Sequence, residues 1–258
     1  MNANLCIWCL KPTFDADVEH IFPEALGCPA SMTLPGTVVC RGCNNGLAHL
    51  DQIVAADFDF LTLMQRIPRK GGRAPEIDSR GNVFGRLADS KPEIFFNLET
   101  HSVDTHAGRH LSPYRGAARD VRPTIKRNGL MSELNFEVPI GQHKKFVRGI
   151  VKIAVSALAF VASADIVRAP KFDWARQYVK HGGPTRHVLL RALPDSIYAL
   201  AVESPVKSID GDYCLEIRIA NIGFFVDLSP SESSYPVLHA KMLETYGKNG
   251  WSSLPIGV

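Results

Sequence analysis

The chain has 258 residues, of which 45% are hydrophobic and 21% are charged, so its composition is that of an ordinary globular protein. Its most apolar uncharged stretch, residues 153–164, is too short to cross a bilayer. Residues 1–5 show neither the basic start nor the long apolar run of a secretory signal. These features argue against a membrane-spanning or secreted protein, and we expect a cytoplasmic one.

The net charge of +3 is small, but the charges are distributed unevenly along the chain. Residues 1–65 carry two basic and seven acidic residues, whereas residues 66–152 carry 17 basic and nine acidic residues. Residues 153–258 are balanced, with ten of each sign. A basic middle segment beside an acidic N-terminal segment suits a polyanionic substrate, and the alternative is a solvated surface of mixed charge.

Two C-x2-C pairs enclose the N-terminal segment. Their members are Cys6, Cys9, Cys40 and Cys43. Four cysteines at this spacing are typical of a tetrahedral zinc site, and in a reducing cytosol such pairs are metal ligands more often than disulfides. We therefore predict a structural zinc ion that closes a small segment with little core of its own. The remaining cysteines, Cys28 and Cys214, are predicted to be inert thiols.

The residues between and after these pairs predict a short strand, a loop, a second strand and a helix. Residues 18–22 form an apolar run stopped by Pro23, and the β-branched residues 37–39 predict the second strand. Apolar residues then recur at helical spacing from Leu47 to Leu61, with Asn44 or Asn45 as the expected N-cap.

A basic segment rich in glycine and proline, residues 68–75, predicts a domain boundary. We assign residues 1–65 to an N-terminal module and residues 66–258 to a larger α+β domain. Helices are predicted at 147–164, which is apolar nearly all round and so buried, at 172–179 and at 236–246. Short strands, antiparallel in the later half, are predicted at 82–87, 93–98, 124–126, 134–138, 187–193, 197–202, 213–219 and 223–228.

Glu19 and His20 are adjacent on the first predicted strand, so their side chains leave opposite faces. Considered alone, they fit a surface glutamate and a half-buried histidine. Their position between the two cysteine pairs changes this interpretation, because Asn44 directly follows the last cysteine and would be fixed in place by the zinc site.

The combination of Cys-x2-Cys, Glu-His-Ile-x-Pro-Glu-Ala-Leu-Gly at 19–27 and Cys-x2-Cys-Asn-Asn at 40–45 resembles the HNH endonuclease family over about residues 6–52. The resemblance implies a ββα-metal fold that hydrolyses phosphodiester bonds with one divalent cation, Mg2+ or Mn2+. It also implies that His20 is the general base, and that Glu19 and Asn44 bind the catalytic cation.

These roles are chemically consistent. A carboxylate and an amide oxygen suit a hard cation, and a neutral imidazole can accept a proton from water. The middle asparagine of the HNH motif has no counterpart, and Thr37 is one candidate to hold His20 in its place. Further candidates to assist the metal site are Asn45, His49 and Asp51.

Basic residues after the predicted module are the candidates for phosphate contacts. The first group is Arg66, Arg69, Lys70 and Arg73. The second group is Arg115, Arg119, Arg122, Lys126 and Arg127. We expect double-stranded DNA as the substrate. The resemblance implies a restriction or anti-phage role, and a homodimer would account for paired cuts, although no residue argues for one. The alternatives are an RNA-cleaving enzyme with the same site and a zinc-stabilised nucleic-acid-binding protein without catalysis.

Overall fold

The computed structural model divides the chain into two compact units. The first is made of Met1–Glu24, Cys28–Val54 and Gly141–Val258, and the second of Ala25–Gly27 and Ala55–Ile140. The residues that the structure describes are 4–12, 18–69, 72, 76–79, 83–88, 91–96, 122–128, 131–138, 140–193, 198–247 and 249–255. The predicted boundary after residue 65 lies inside the second unit, and the assignment of residues 1–65 to a nuclease module stays a prediction.

The first unit opens with a two-stranded hairpin and a long helix. Strand β1 (Glu19–His20) pairs antiparallel with β2 (Thr33–Leu34), which places Glu19 opposite Leu34 and His20 opposite Thr33. Helix α1 (Arg41–Asp57) follows. Its residues up to Val54 belong to the first unit, and its last three residues belong to the second. The observed order is strand, loop, strand and helix, but the second strand lies at other residues than those predicted.

The predicted second strand at residues 37–39 is wrong, because these residues form a turn. Val38 and Val39 are buried, and the Val38 carbonyl accepts a hydrogen bond from the backbone N–H of Ile7 at 3.0 Å. The β-branched side chains thus pack beside the first cysteine pair instead of joining the hairpin.

The second unit is built from a short helix and antiparallel strands. Helix α2 is Asp59–Met64. The strands are β3 (Ile77–Ser79), β4 (Val83–Ala88), β5 (Lys91–Phe96), β6 (Arg122–Asn128) and β7 (Met131–Glu137). One sheet has the order β3-β4-β5, and β6 pairs with β7 in a separate hairpin. Four of these strands overlap the runs predicted from the sequence, and β3 was not predicted.

Helix α3 (Phe146–Val161) is the centre of the first unit and is buried on nearly every side, as its apolar sequence predicts. It packs against β2 and against the two helices that follow it, α4 (Ala164–Arg168) and α5 (Asp173–His181). The Ser163 hydroxyl accepts a hydrogen bond from the Asp165 N–H and caps α4.

The C-terminal half of the first unit is an antiparallel sheet beside α3. Its strands are β8 (Val188–Ala192), β9 (Leu200–Val202), β10 (Val206–Lys207), β11 (Tyr213–Ile219), β12 (Ile222–Asp227) and β13 (Trp251–Leu254). Their order is β10-β11-β12-β8-β13, with β9 also on β11. The rings of Phe146 and Phe224 lie 6.1 Å apart where α3 meets β12, and α6 (Tyr235–Tyr246) lies against β8 and β13. The mixed α+β class with antiparallel sheets is thus confirmed.

None of the helices in the described ranges combines the length and hydropathy needed for a membrane crossing.

Helix α3 lies close to α1 at Gly149. A Cβ atom at this position would lie 2.5 Å from Val54 Cγ2 and 3.2 Å from the Leu50 carbonyl oxygen. Glycine within a helix ordinarily costs about 0.5–1 kcal/mol relative to alanine. The close approach of the two helices explains why a glycine occupies this position.

Gly149→Ala is expected to lower the free energy of unfolding by about 1–3 kcal/mol, because the added methyl group overpacks the helix contact. The matched control is Gly46→Ala in α1, where nothing lies within 4 Å of the added Cβ. That variant is expected to gain about 0.5–1 kcal/mol from helix propensity alone. Urea denaturation measures both, and a stability change of the same sign in the two variants would contradict this account.

Candidate functional site

The four predicted zinc ligands converge on one point of the first unit. Their Sγ atoms all lie within 4.8 Å of one another, and the Cys9 and Cys40 sulfurs are 3.8 Å apart. A tetrahedral zinc ion with Zn–S bonds of about 2.3 Å has sulfur–sulfur edges of about 3.8 Å. The predicted cluster is therefore confirmed as a site that could hold a structural metal such as zinc.

Hydrogen bonds to its Sγ atom favour the thiolate form of Cys6. The amides of Trp8 and Cys40 each donate a hydrogen bond to its Sγ at 3.4 Å. Hydrogen bonding from the Cys43 thiol, together with these amides, lowers the pKa of Cys6 to about 4 against the opposing effect of burial. Hydrogen bonds to a ligating sulfur both orient the ligand and offset its charge.

The other two cysteines lie outside the cluster, as predicted. The Cys28 thiol donates to the Met32 carbonyl at 3.5 Å, and burial raises the pKa of this thiol. Cys214 is buried on β11, where burial raises the pKa of its thiol to about 11. A protonated thiol is a poor metal ligand, so neither residue extends the cluster.

The cysteine cluster fixes where α1 begins. The Cys40 carbonyl accepts hydrogen bonds from the N–H groups of Cys43 and Asn44 at 3.0 and 2.9 Å, so the second cysteine pair is itself the start of the helix. The prediction that Asn44 or Asn45 caps the helix is wrong for this reason. The Asn44 side chain turns towards β1 instead, where its Nδ2 donates to the Val18 carbonyl at 3.3 Å. Asn44 is thereby tied to the residue directly before Glu19.

Glu19 points into the protein and meets a lysine that sequence reasoning did not assign to the site. The Glu19 side chain is 2% exposed, and its Oε1 lies 2.8 Å from Lys152 Nζ on α3. Lys152 is equally buried, and it also donates to both carboxylate oxygens of Asp51 at 2.9 and 2.8 Å. The buried triad of Glu19, Lys152 and the partly exposed Asp51 therefore joins β1, α3 and α1.

Burial and charge act in opposition in this buried triad. Burial raises the pKa of Glu19, and Lys152 opposes that effect while the Asp51 carboxylate adds to it. Burial disfavours the charged ammonium of Lys152, but Asp51 and Glu19 together outweigh burial and raise its pKa. Two carboxylates thus share one ammonium group, and the Glu19 carboxylate is held by this internal cation.

His20 is partly exposed and lies on the strand opposite Thr33, not Thr37. Thr33 uses its hydroxyl to donate to the Ala30 carbonyl at 3.0 Å. Among the predicted assisting residues, Asn45 is exposed, and His49 Nδ1 lies 3.1 Å from the Gly46 carbonyl of its own helix. Asp51 belongs to the buried triad, where its carboxylate accepts hydrogen bonds from Lys152.

The predicted phosphate-contacting residues are only partly described. Arg66 is exposed. Arg69 donates to the Asp59 carboxylate at 2.7 Å and to the Glu76 carbonyl at 3.0 Å, so its guanidinium already has protein partners. Lys70, Arg73, Arg115 and Arg119 lie outside the described residues, and Arg122, Lys126 and Arg127 are on β6.

No protein-family model, curated protein or solved structure matches this chain. The candidate site is therefore interpreted from its own residues. It combines a four-cysteine cluster, a partly exposed imidazole on β1, an amide at the start of α1 and a buried carboxylate held by a lysine.

Proposed function

We propose that the chain is a metal-dependent endonuclease of the HNH type that hydrolyses phosphodiester bonds in DNA. One contact carries the proposal: Asn44 at the start of α1 donates to the Val18 carbonyl, which holds the helix against the strand that bears Glu19 and His20. The cysteine cluster supports this geometry because its last member, Cys43, directly precedes Asn44 in α1. Glu19 and His20 on β1 and Asn44 on α1 thus belong to a hairpin and a helix that the cysteine cluster joins.

In this proposal His20 accepts the proton of the attacking water, for which its partly exposed position on β1 is suitable. Asn44 uses Nδ2 for the Val18 carbonyl, so Oδ1 is the atom that would bind a hard cation such as Mg2+ or Mn2+. When bound, such a cation neutralises the charge of the scissile phosphate. Glu19 is the chemically suitable second ligand, but its carboxylate is engaged by Lys152.

The engagement of Glu19 favours a second candidate function. With its carboxylate 2% exposed and paired to Lys152, the hairpin can serve as a structural element of a zinc-stabilised nucleic-acid-binding protein without catalysis. The basic segment of residues 66–152 suits either function, because phosphate contacts give affinity whether or not the strand is cut.

Cleavage assays on plasmid DNA and on total RNA, with Mg2+ or Mn2+ and with EDTA, test the proposal. Wild type is expected to cut DNA only with the added metal. His20→Ala is expected to lower the rate by about 100-fold or more, because general-base catalysis contributes at least that much. The matched control is His181→Ala, which changes an exposed histidine at the end of α5 and is expected to cut like wild type.

Three results would contradict the proposal in different ways. Cleavage of RNA alone would assign the same site to a ribonuclease. Binding of DNA without any cleavage, by protein that retains zinc, would favour the second candidate function. Equal cutting by His20→Ala and wild type would show that the base is wrongly assigned.

A further inference from the structure

The first unit contains a cavity of about 580 Å³ beside the N-terminus of α3. It lies between residues 141–145, which lead into α3, and residues 182–185, which follow α5. Its basic lining residues are His143, Lys144, Lys145, Arg148 and Arg186. None of the described lining residues is acidic. The volume is within the range of sites that hold small molecules.

Arg186 is already committed to the fold. Its guanidinium donates to the carbonyl oxygens of Asp227, Ser229 and Pro230 and stacks at 3.9 Å on the Trp174 ring. Its Nε also lies 3.4 Å from the Glu232 carboxylate. Arg186 therefore shapes the wall of the cavity and leaves ligand binding to the other basic residues.

Lys144, Lys145 and Arg148 have charged groups or N–H donors that other residues in the described ranges do not engage. Lys144 and Lys145 make no ion pair with any residue in the described ranges. Arg148 donates from Nη2 to the Val179 carbonyl at 2.8 Å, but its buried Nε has no hydrogen-bond partner among the described residues. A buried donor without a partner is costly unless a ligand or water satisfies it.

These charges are placed where they weaken the helix. Cations are unfavourable at a helix N-terminus, where the peptide dipoles already concentrate positive charge, and the first turn of α3 has no acidic residue to compensate. The His143 ring accepts a hydrogen bond from the N–H of Lys145, the N-cap residue, at 3.0 Å, and the Lys145 side chain makes no capping hydrogen bond. Lys144, Lys145 and Arg148 also repel one another. An anion in the cavity would interact favourably with the helix dipole and would offset the repulsion between these cations.

We propose that this cavity binds a small phosphorylated molecule of nucleotide size, with its phosphate held by Lys144, Lys145 and Arg148 at the N-terminus of α3. A phosphate offers several acceptor oxygens to the two ammonium groups and to the guanidinium. The cavity shares no lining residue with the candidate nuclease site, so the proposal does not depend on catalysis.

Isothermal titration at low salt, without added Mg2+, tests the proposal with ADP, inorganic pyrophosphate and a short single-stranded DNA as probes. Lys144→Gln/Lys145→Gln is the test variant. Lys207→Gln/Lys241→Gln is the control, because it removes the same charge from exposed positions outside the cavity. ADP and pyrophosphate are expected to bind wild type and the control equally, and the test variant at least about tenfold more weakly.

The melting temperature separates ligand binding from a structural role. Removing two cations from the start of α3 is expected to leave the melting temperature of the test variant at or above that of wild type. A fall in melting temperature would assign the lysines to the fold and overturn the proposal. Failure of ADP and pyrophosphate to bind wild type, or equal losses in both double variants, would also overturn it. Lysine-dependent binding of the oligonucleotide alone would assign the cavity to a nucleic-acid strand.

Discussion

Cys43→Ser is expected to release the metal from the cysteine cluster and to unfold the hairpin and the beginning of α1. The cluster joins both ends of a segment whose strands β1 and β2 have only two residues each, so pairing between these strands contributes little to holding the two ends together. Structural zinc binding contributes roughly 10–16 kcal/mol in zinc-finger peptides, and much of this depends on a complete ligand set. Zinc per chain by mass spectrometry measures the first effect. The change in the near-ultraviolet signal of the three tryptophans, of which Trp8 is buried in this segment, measures the second.

Cys28→Ser is the matched control for this substitution. Cys28 lies in the same segment, but its thiol contacts the Met32 carbonyl and stands apart from the cluster. The control variant is expected to keep one zinc ion and the stability of wild type. Full zinc content in Cys43→Ser, or loss of zinc from Cys28→Ser, would show that the ligand set is wrongly assigned.

A chelator and a reducing agent distinguish zinc from the alternative of two disulfides. All six cysteines are free thiols in the structure. A zinc cluster is expected to lose its structure with chelator and to tolerate a reducing agent, whereas disulfides would show the opposite response.

Features that depend on local pattern could be predicted from the sequence. The spacing of the cysteines predicted the cluster because a C-x2-C pair presents two sulfurs to one metal regardless of what surrounds it. The all-round apolar sequence of α3 predicted its burial, and the alternating residues of β11 gave the bounds Tyr213–Ile219. In each case the chemical signal and the structural element occupy the same few residues.

Features that depend on distant partners could not be predicted. The β-branched residues 37–39 signalled burial, but a local pattern cannot show whether a buried residue pairs in a sheet or packs beside a metal cluster. Strand β13 was missed because Trp251-Ser-Ser-Leu254 has little strand character of its own and is held by pairing with β8. Residues in the same sheet but far apart in the chain leave no joint signal in a single sequence.

The ion pair of Glu19 shows the same limit in the candidate site. The Glu-His sequence indicated catalysis, and Lys152 was visible only as a charge before an apolar stretch. Asp51 and Lys152 are 101 positions apart, so only the folded chain brings them together. The buried triad gives Glu19 a structural partner, and any catalytic role must be compatible with it.

Lys152→Met is expected to lower the free energy of unfolding by about 3–5 kcal/mol, because it leaves the buried Glu19 carboxylate without its cation. Methionine has a similar length, so loss of packing is small. Lys171→Met is the control, since Lys171 is exposed and pairs with Asp212 at 2.9 Å. Exposed ion pairs of that kind are worth about 0–1 kcal/mol. Chemical denaturation measures both, and equal losses would contradict the account.

The destabilisation by Lys152→Met is expected to depend on pH. Burial raises the pKa of Glu19, and removing Lys152 raises it further because Lys152 opposes the shift. A carboxyl group with a raised pKa holds its proton more tightly in the folded state than in the unfolded state. The free energy of unfolding therefore falls as the pH rises from the ordinary glutamate value through the folded pKa. The difference in the free energy of unfolding between wild type and Lys152→Met is therefore expected to be small at acid pH and largest at neutral pH.

Adding Glu19→Gln to Lys152→Met is expected to restore part of the lost stability and to remove most of its pH dependence, because the buried charge is gone. This double variant also decides between the two roles of Glu19. If Glu19 serves only the buried triad, the folded double variant keeps metal-dependent cleavage. If Glu19 leaves Lys152 to bind the catalytic cation, the double variant folds and binds zinc but does not cut. A double variant as unstable as Lys152→Met alone would show that the uncompensated Glu19 charge is not the cause of the loss.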